Sequence, residues 1–165
     1  MNQTIIEVKN LFFSYEHHLI LEDINLKVEK GDFLALIGPN GGGKTTLVRC
    51  ILGFLKPIKG KIFLWGEEIK NFKDWFKIGY VPQRAGDLVD SLTPLSVKDF
   101  LLMPFKWYKK NFEKDLNTDL IEKFGIKNLL DKKLGELSYG QLQRAYIVRA
   151  LILDPELLIL DEPSV

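Results

Sequence analysis

Gly38-Pro39-Asn40-Gly41-Gly42-Gly43-Lys44-Thr45-Thr46 fills every fixed position of the phosphate-loop pattern G-x-x-x-x-G-K-[ST]. Polyphosphate packs several negative charges into a small volume, so a protein holds it by surrounding it with donors at close range. Gly41, Gly42 and Gly43 carry no Cβ to keep the backbone away. They can adopt φ > 0, which turns successive N–H groups inward as an anion nest. A helix starting near Lys44 would aim its unsatisfied N–H groups and positive dipole end at the same oxygens. Lys44 would add a mobile full charge, and the Thr45 hydroxyl can ligate Mg²⁺.

The flanks supply the context this pattern needs. Phe33-Leu34-Ala35-Leu36-Ile37 is a short apolar run suited to a buried strand, and Leu47, Val48, Ile51 and Leu52 recur at helical spacing behind the loop. Strand, glycine-rich loop and helix together predict an α/β core of the P-loop type.

Upstream, residues 5–15 and 18–29 read as two strands, with Ile6 and Val8, then Ile24, Leu26 and Val28, alternating with polar residues. The short link through Glu16, His17 and His18 predicts an antiparallel pair. Tyr15, at the end of the first strand, reads either as an ordinary strand aromatic or as a ring for stacking on a base.

Downstream, residues 61–65 and 78–81 read as further strands, and Pro82 pushes Gln83 into a loop. From about residue 94 the pattern turns helical, with Val97, Phe100 and Leu101 on one face and Leu116, Leu120, Ile121 and Phe124 on another. Gly125 is a natural helix stop. Ser138 and Gln141 have capping-box spacing before a helix carrying Leu142, Tyr146 and Leu153, and Asp154-Pro155 ends it. Leu157-Leu158-Ile159-Leu160 is a second all-apolar strand, and it runs into Asp161-Glu162. An acid at the end of such a strand can reach Mg²⁺. Two adjacent acids at a buried edge are costly unless a cation or a proton-transfer role compensates them.

Composition narrows the field. The chain has 165 residues, 27% of them charged, and a formal net charge of +1, which gives no global attraction to nucleic acid or acidic lipid. No apolar run approaches the ~18 residues of a membrane-spanning helix, and the first residues lack the regions of a signal peptide. Cys50 is the single cysteine, so there is no internal disulfide, and a cytoplasmic location is expected.

Taken in order, Tyr15, Gly38–Thr46, Gln83 within Tyr80-Val81-Pro82-Gln83, Leu137-Ser138-Tyr139-Gly140-Gln141 with Gln143-Arg144, and Leu157–Glu162 resemble the nucleotide-binding subunit of ABC transporters over essentially the full length. The resemblance implies a P-loop NTPase core with a mixed sheet. The expected parts are an antiparallel β portion (1–30), a P-loop core (31–93), an inserted helical subdomain (94–135), and a signature helix with the Walker B strand (136–165). It also implies the roles. Gly38, Pro39, Asn40, Gly41, Gly42, Gly43, Lys44, Thr45 and Thr46 would bind ATP with Tyr15 stacked on adenine. Thr45, Gln83 and Asp161 would hold Mg²⁺, and Glu162 would be the general base. Leu137, Ser138, Gly140 and Gln141 would contact the ATP of a second subunit.

The expected partners are that second subunit, an integral membrane permease and an extracytoplasmic substrate-binding protein, with no nucleic acid. The expected position is on the inner face of the cell membrane. Local wording around Gly79–Arg84, Leu92–Val97 and Leu101–Met103 is most similar to the zinc/manganese importer group, with iron-chelate importers close behind. A soluble ABC protein acting on DNA or ribosomes, or a non-catalytic nucleotide-binding fragment, are the alternatives.

Two departures stand out. Tyr139 occupies a signature position that is usually glycine, and its side chain must point away from phosphate. The sequence also stops at Pro163-Ser164-Val165, directly after Walker B. The resemblance therefore implies that the C-terminal part of the core, with a further strand and a histidine, is missing, and that these residues alone would bind nucleotide weakly.

Overall fold

The computed structural model describes residues 3–83, 93–108 and 118–161. The chain divides into two compact units, residues 1–74 and 75–165.

The first unit is built on a long hairpin. Strands β1 (Thr4–Tyr15) and β2 (His18–Glu29) pair antiparallel, as their alternation predicts. Ile5 and Ile6 are both buried at the start of β1; from there the inward set is Ile6 and Val8, then Leu11 and Phe13, so the phase of the alternation changes in mid-strand. The change occurs at Asn10, which takes φ 45° where the register shifts between Val8 and Leu11. A β-bulge of this kind lets one extra residue into a strand without turning its apolar set outward. Side chains across the ladder hold it. The Asn10 N–H donates to Asn25 Oδ1 at 2.9 Å, and Asn10 Nδ2 donates to Asp23 Oδ1 at 2.8 Å.

Between β2 and the next strand lie the phosphate loop and helix α1 (Lys44–Ile51). Leu47, Val48, Cys50 and Ile51 are buried, the helical spacing read from the sequence. Strand β3 (Lys59–Leu64) then pairs with the free edge of β1, and the two-residue β4 (Glu67–Glu68) pairs with β3, giving the order β2-β1-β3-β4. At Gly60 (φ 94°) a Cβ would lie 2.3 Å from the Asn10 carbonyl oxygen, so only glycine lets β3 enter the sheet beside the bulge.

One strand expected from the sequence is not formed. Residues 33–37 make no ladder among the described residues, and Phe33 and Ile37 are 99% and 93% exposed. A strand exists through its partners' N–H and C=O groups, and the first unit's sheet has none beside this run.

In the second unit, β5 (Ile78–Val81) and β6 (Leu157–Leu160) form a parallel pair, as required when helices connect them. Helices α2 (Val97–Tyr108), α3 (Thr118–Lys123) and α4 (Tyr139–Leu151) pack around one core. Ser96 caps α2, its Oγ accepting from the Asp99 N–H at 3.0 Å. Val97, Leu101 and Phe105 from α2, Ile121 from α3, and Leu142, Ala145 and Val148 from α4 fill the centre. Gly125 (φ 62°) follows α3 and donates back to Glu122, the stop expected there. The expectation for β6 needs correction on one point. It is a strand, yet Leu158 and Leu160 are 41% and 45% exposed, because among the described residues little packs on the face that they share. Leu116 lies outside the described residues.

Candidate functional site

The phosphate loop has the backbone its glycines permit. Gly41 and Gly43 sit at φ 79° and 82°, the left-handed region, and Gly42 donates to the Pro39 carbonyl at 3.1 Å. Gly43 is the N-cap of α1, and no side chain caps the helix start. The first helical bond runs from the Leu47 N–H to the Gly43 carbonyl at 2.8 Å. Gly43 is also a contact point. A Cβ there would stand 2.9 Å from Leu21 Cδ2, so β2 and the loop meet at close range.

Lys44 closes the loop on itself. Its Nζ donates to the Gly38 carbonyl at 3.0 Å and the Pro39 carbonyl at 2.9 Å, a tether the sequence does not foretell. The ammonium is thus positioned across the loop, with one of its three donors left for an incoming anion. Asn40 is exposed at the tip, Thr45 is half-buried as the second residue of α1, and Thr46 is buried. Tyr15 ends β1, opposite His18, at the end of the hairpin where Ile20 and Leu21 touch Gly43. It is 43% exposed and its ring meets Phe13 edge-on at 4.9 Å, which leaves a face for stacking.

The second unit brings Gln83 and Asp161 to one edge. Val81 and Leu160 are register partners, and the Asp161 N–H donates to the Val81 carbonyl at 3.0 Å. Gln83 follows β5 and the buried Asp161 follows β6, so both emerge beyond the carboxyl ends of adjacent parallel strands, where open α/β sheets bind ligands. An amide oxygen and a carboxylate suit a hard cation such as Mg²⁺ better than a soft one. Glu162 lies outside the described residues. Among the described residues no three His, Cys, Asp or Glu side chains gather as a metal cluster.

Leu137-Ser138-Tyr139-Gly140-Gln141 opens α4. Ser138 is the N-cap. The Gln141 N–H donates to Ser138 Oγ at 3.4 Å and the Ser138 N–H donates to Gln141 Oε1 at 3.0 Å, the reciprocal box read from the spacing. Tyr139, the first helical residue, is 43% exposed. Gly140 is more informative. A Cβ there would meet nothing within 4 Å among the described residues, so none of them requires a glycine at this position.

Gly79 carries a contact that its place in the sequence does not reveal. A Cβ at Gly79 would lie 2.4 Å from the Ala150 carbonyl oxygen, so this glycine sets how closely β5 and α4 approach. Its one sequence signal is a glycine inside an apolar strand.

Comparison with known proteins identifies the family. The family model described as ABC transporter matches residues 21–165. The zinc uptake system ATP-binding protein ZurA of Listeria innocua serovar 6a is 44% identical over 168 residues, covering 98% of this chain and 65% of the relative. The zinc import ATP-binding protein ZnuC of Wolbachia sp. subsp. Brugia malayi is 37% identical over 164 residues, covering 99% of this chain and 62% of the relative. A solved ATP-binding subunit of an ABC transporter superposes with TM-score 0.85 at 30% identity, over 98% of this chain and 67% of that one. The chain thus spans slightly less than two thirds of the length of the two curated relatives.

Proposed function

The chain belongs to the ABC transporter family, and from that premise we propose that it is the ATP-binding subunit of an importer, coupling MgATP binding and hydrolysis to uptake of a divalent metal ion or its chelate. The observation that carries the nucleotide part is the loop itself, with two left-handed glycines and the Lys44 ammonium held across it by Gly38 and Pro39. The names of the zinc-uptake relatives support the cargo.

Each residue then has a task. The amides of residues 41–46 and Lys44 neutralise the β- and γ-phosphates, and Tyr15 stacks on the base. Thr45, Gln83 and Asp161 would hold Mg²⁺ through oxygen donors, and the ion would draw charge from the phosphate oxygens. Glu162 accepts a proton from the attacking water. Ser138 and the Gly140 N–H reach the γ-phosphate held by a second subunit, with Leu137 and Gln141 shaping that turn. The cargo itself passes through a membrane permease and is delivered by an extracytoplasmic binding protein. No described helix is long and apolar enough to cross a membrane, so the permease would supply the spanning part while this subunit works on the inner face.

The test is reconstitution of the full protein with its permease in vesicles, measuring ATP hydrolysis and uptake of labelled zinc together. Zinc-dependent accumulation that is lost in Glu162→Gln supports the reading. Hydrolysis without uptake of any divalent metal would remove the cargo assignment, and no nucleotide binding would remove the whole.

A further inference from the structure

The contact between α2 and α4 contains a cation that the phosphate site does not use. Arg149, near the end of α4, places its guanidinium carbon 4.6 Å from the centroid of the Phe100 ring on α2. Tyr146, one turn earlier on α4, meets the same ring edge-on at 4.8 Å and 63°. Phe100 is 5% exposed, and Arg149 Nε is buried with no hydrogen-bond partner among the described residues. Burial lowers the guanidinium pKa from its usual value, with the neighbouring Tyr146 acting in the opposite direction.

A largely desolvated cation with no ion pair among the described residues is a costly way to fill a helix interface. An aliphatic side chain of the same length would pack there without the desolvation penalty. What a guanidinium adds is direction, since a ring face attracts it most strongly over the centroid, whereas an aliphatic contact tolerates sliding. The next residue, Ala150, bears on another side of α4, its carbonyl against Gly79 of β5. The ring contact comes from α2 and the backbone contact from β5, so α4 is held by two different elements at its C-terminal end, which together restrain its rotation about its axis. Rotation matters at the other end. A turn of about 20° would move a group ~5 Å from the axis by nearly ~2 Å, and misplacement of about 1 Å can cost ~100-fold in rate.

We propose that Arg149 is a positioning residue: by stacking on Phe100 it sets the rotation of α4, and through it the direction in which Ser138 and Gly140 are presented. This rests on the reading of the Ser138 turn as the group that engages a second subunit's nucleotide.

The decisive experiment replaces Phe100 in the full protein, assembled with its permease, by mono-, di- and trifluorophenylalanine. These rings keep the shape while successively weakening the attraction of the face for a cation. Three quantities are read: kcat for ATP hydrolysis, the dissociation constant of a fluorescent ATP analogue, and amide hydrogen exchange at residues 138–142. The expected result is a stepwise loss of kcat, about tenfold across the series, with nucleotide affinity within about twofold and exchange at 138–142 rising in step. Arg149→Met should match the trifluoro ring, and Arg149→Lys should recover part of the loss.

A kcat and an exchange pattern that stay flat across the ring series would overturn the proposal. If Arg149→Met fails to fold, the ring series still decides. Exchange that responds in a protein without any ATP hydrolysis would keep the positioning role and remove the ATPase reading instead.

Discussion

Gly79 and Ala150 touch through backbone: a methyl group on Gly79 would lie 2.4 Å from the Ala150 carbonyl oxygen and its Cβ 3.0 Å from the Pro155 ring. The strand that leads to Gln83 and the helix that starts at Ser138 are therefore seated on each other with no side chain between them. Gly79→Ala should destabilise the protein by ~2–4 kcal/mol, since backbone cannot move aside as a flexible side chain does. Urea unfolding checks this, and a loss below about 0.5 kcal/mol would mean that the two elements can part at little cost.

Two glycines of the phosphate loop should behave differently on the same substitution. Gly41 and Gly43 both have positive φ, but a Cβ at Gly41 meets open space while one at Gly43 meets Leu21 and the Ile20 carbonyl. Gly41→Ala should cost about 1–2 kcal/mol from backbone strain alone, and Gly43→Ala clearly more. Paired thermal melts would show the order, and equal losses would place the cost in strain rather than contact.

Lys44→Ala should leave stability nearly unchanged while nucleotide affinity falls at least about tenfold. The tether to Gly38 and Pro39 lies on the exposed loop and contributes at most ~1 kcal/mol to folding. Titration with a fluorescent ATP analogue beside a melting curve separates the two effects.

Tyr139→Gly should not raise ATP turnover more than a few-fold, because Tyr139 is 43% exposed at the first turn and has solvent to point into. It should lower stability by about 0.5–1 kcal/mol through helix propensity. A many-fold rise in turnover would show that the tyrosine obstructs the signature turn.

Burial pushes the Cys50 thiol up to about 11. Its folded pKa lies above the unfolded value of ~8.5, so the fold favours the neutral thiol. That contribution is fully present below pH ~8.5 and is lost as pH rises toward about 11. Cys50 should therefore resist a thiol reagent at pH 8 in the folded protein and react within seconds in denaturant. Fast reaction while folded would mean that α1 opens locally.

Much of the fold is written where the pattern is local. The hairpin, α1, the capped α4 and the strands ending before Gln83 and Asp161 follow from alternation, 3.6-residue spacing and turn chemistry. The failures concern what lies across space. Nothing in Phe33–Ile37 says whether a ladder partner is beside it, and an all-apolar β6 does not reveal that among the described residues little packs on one of its faces. The bulge at Asn10 depends on Asn25 and Asp23 from the opposite strand. Arg149 on its aromatic ring and Gly79 under Ala150 are equally invisible, because single residues far apart in sequence carry no period.

The sheet order β2-β1-β3 has a kinetic meaning for the phosphate loop. β1 and β2 are neighbours in sequence and can zip quickly, whereas β3 reaches β1 only after the intervening stretch, loop and α1 included, has been gathered into a closed circuit. Closing a circuit of this size costs several kcal/mol of chain entropy, so β3 is expected to be the late arrival and the first strand to leave. An anion gripped by the loop shrinks the open circuit before closure. Occupancy at Gly38–Thr46 should thus slow the departure of β3, and ligand and sheet edge act as two ends of one clasp.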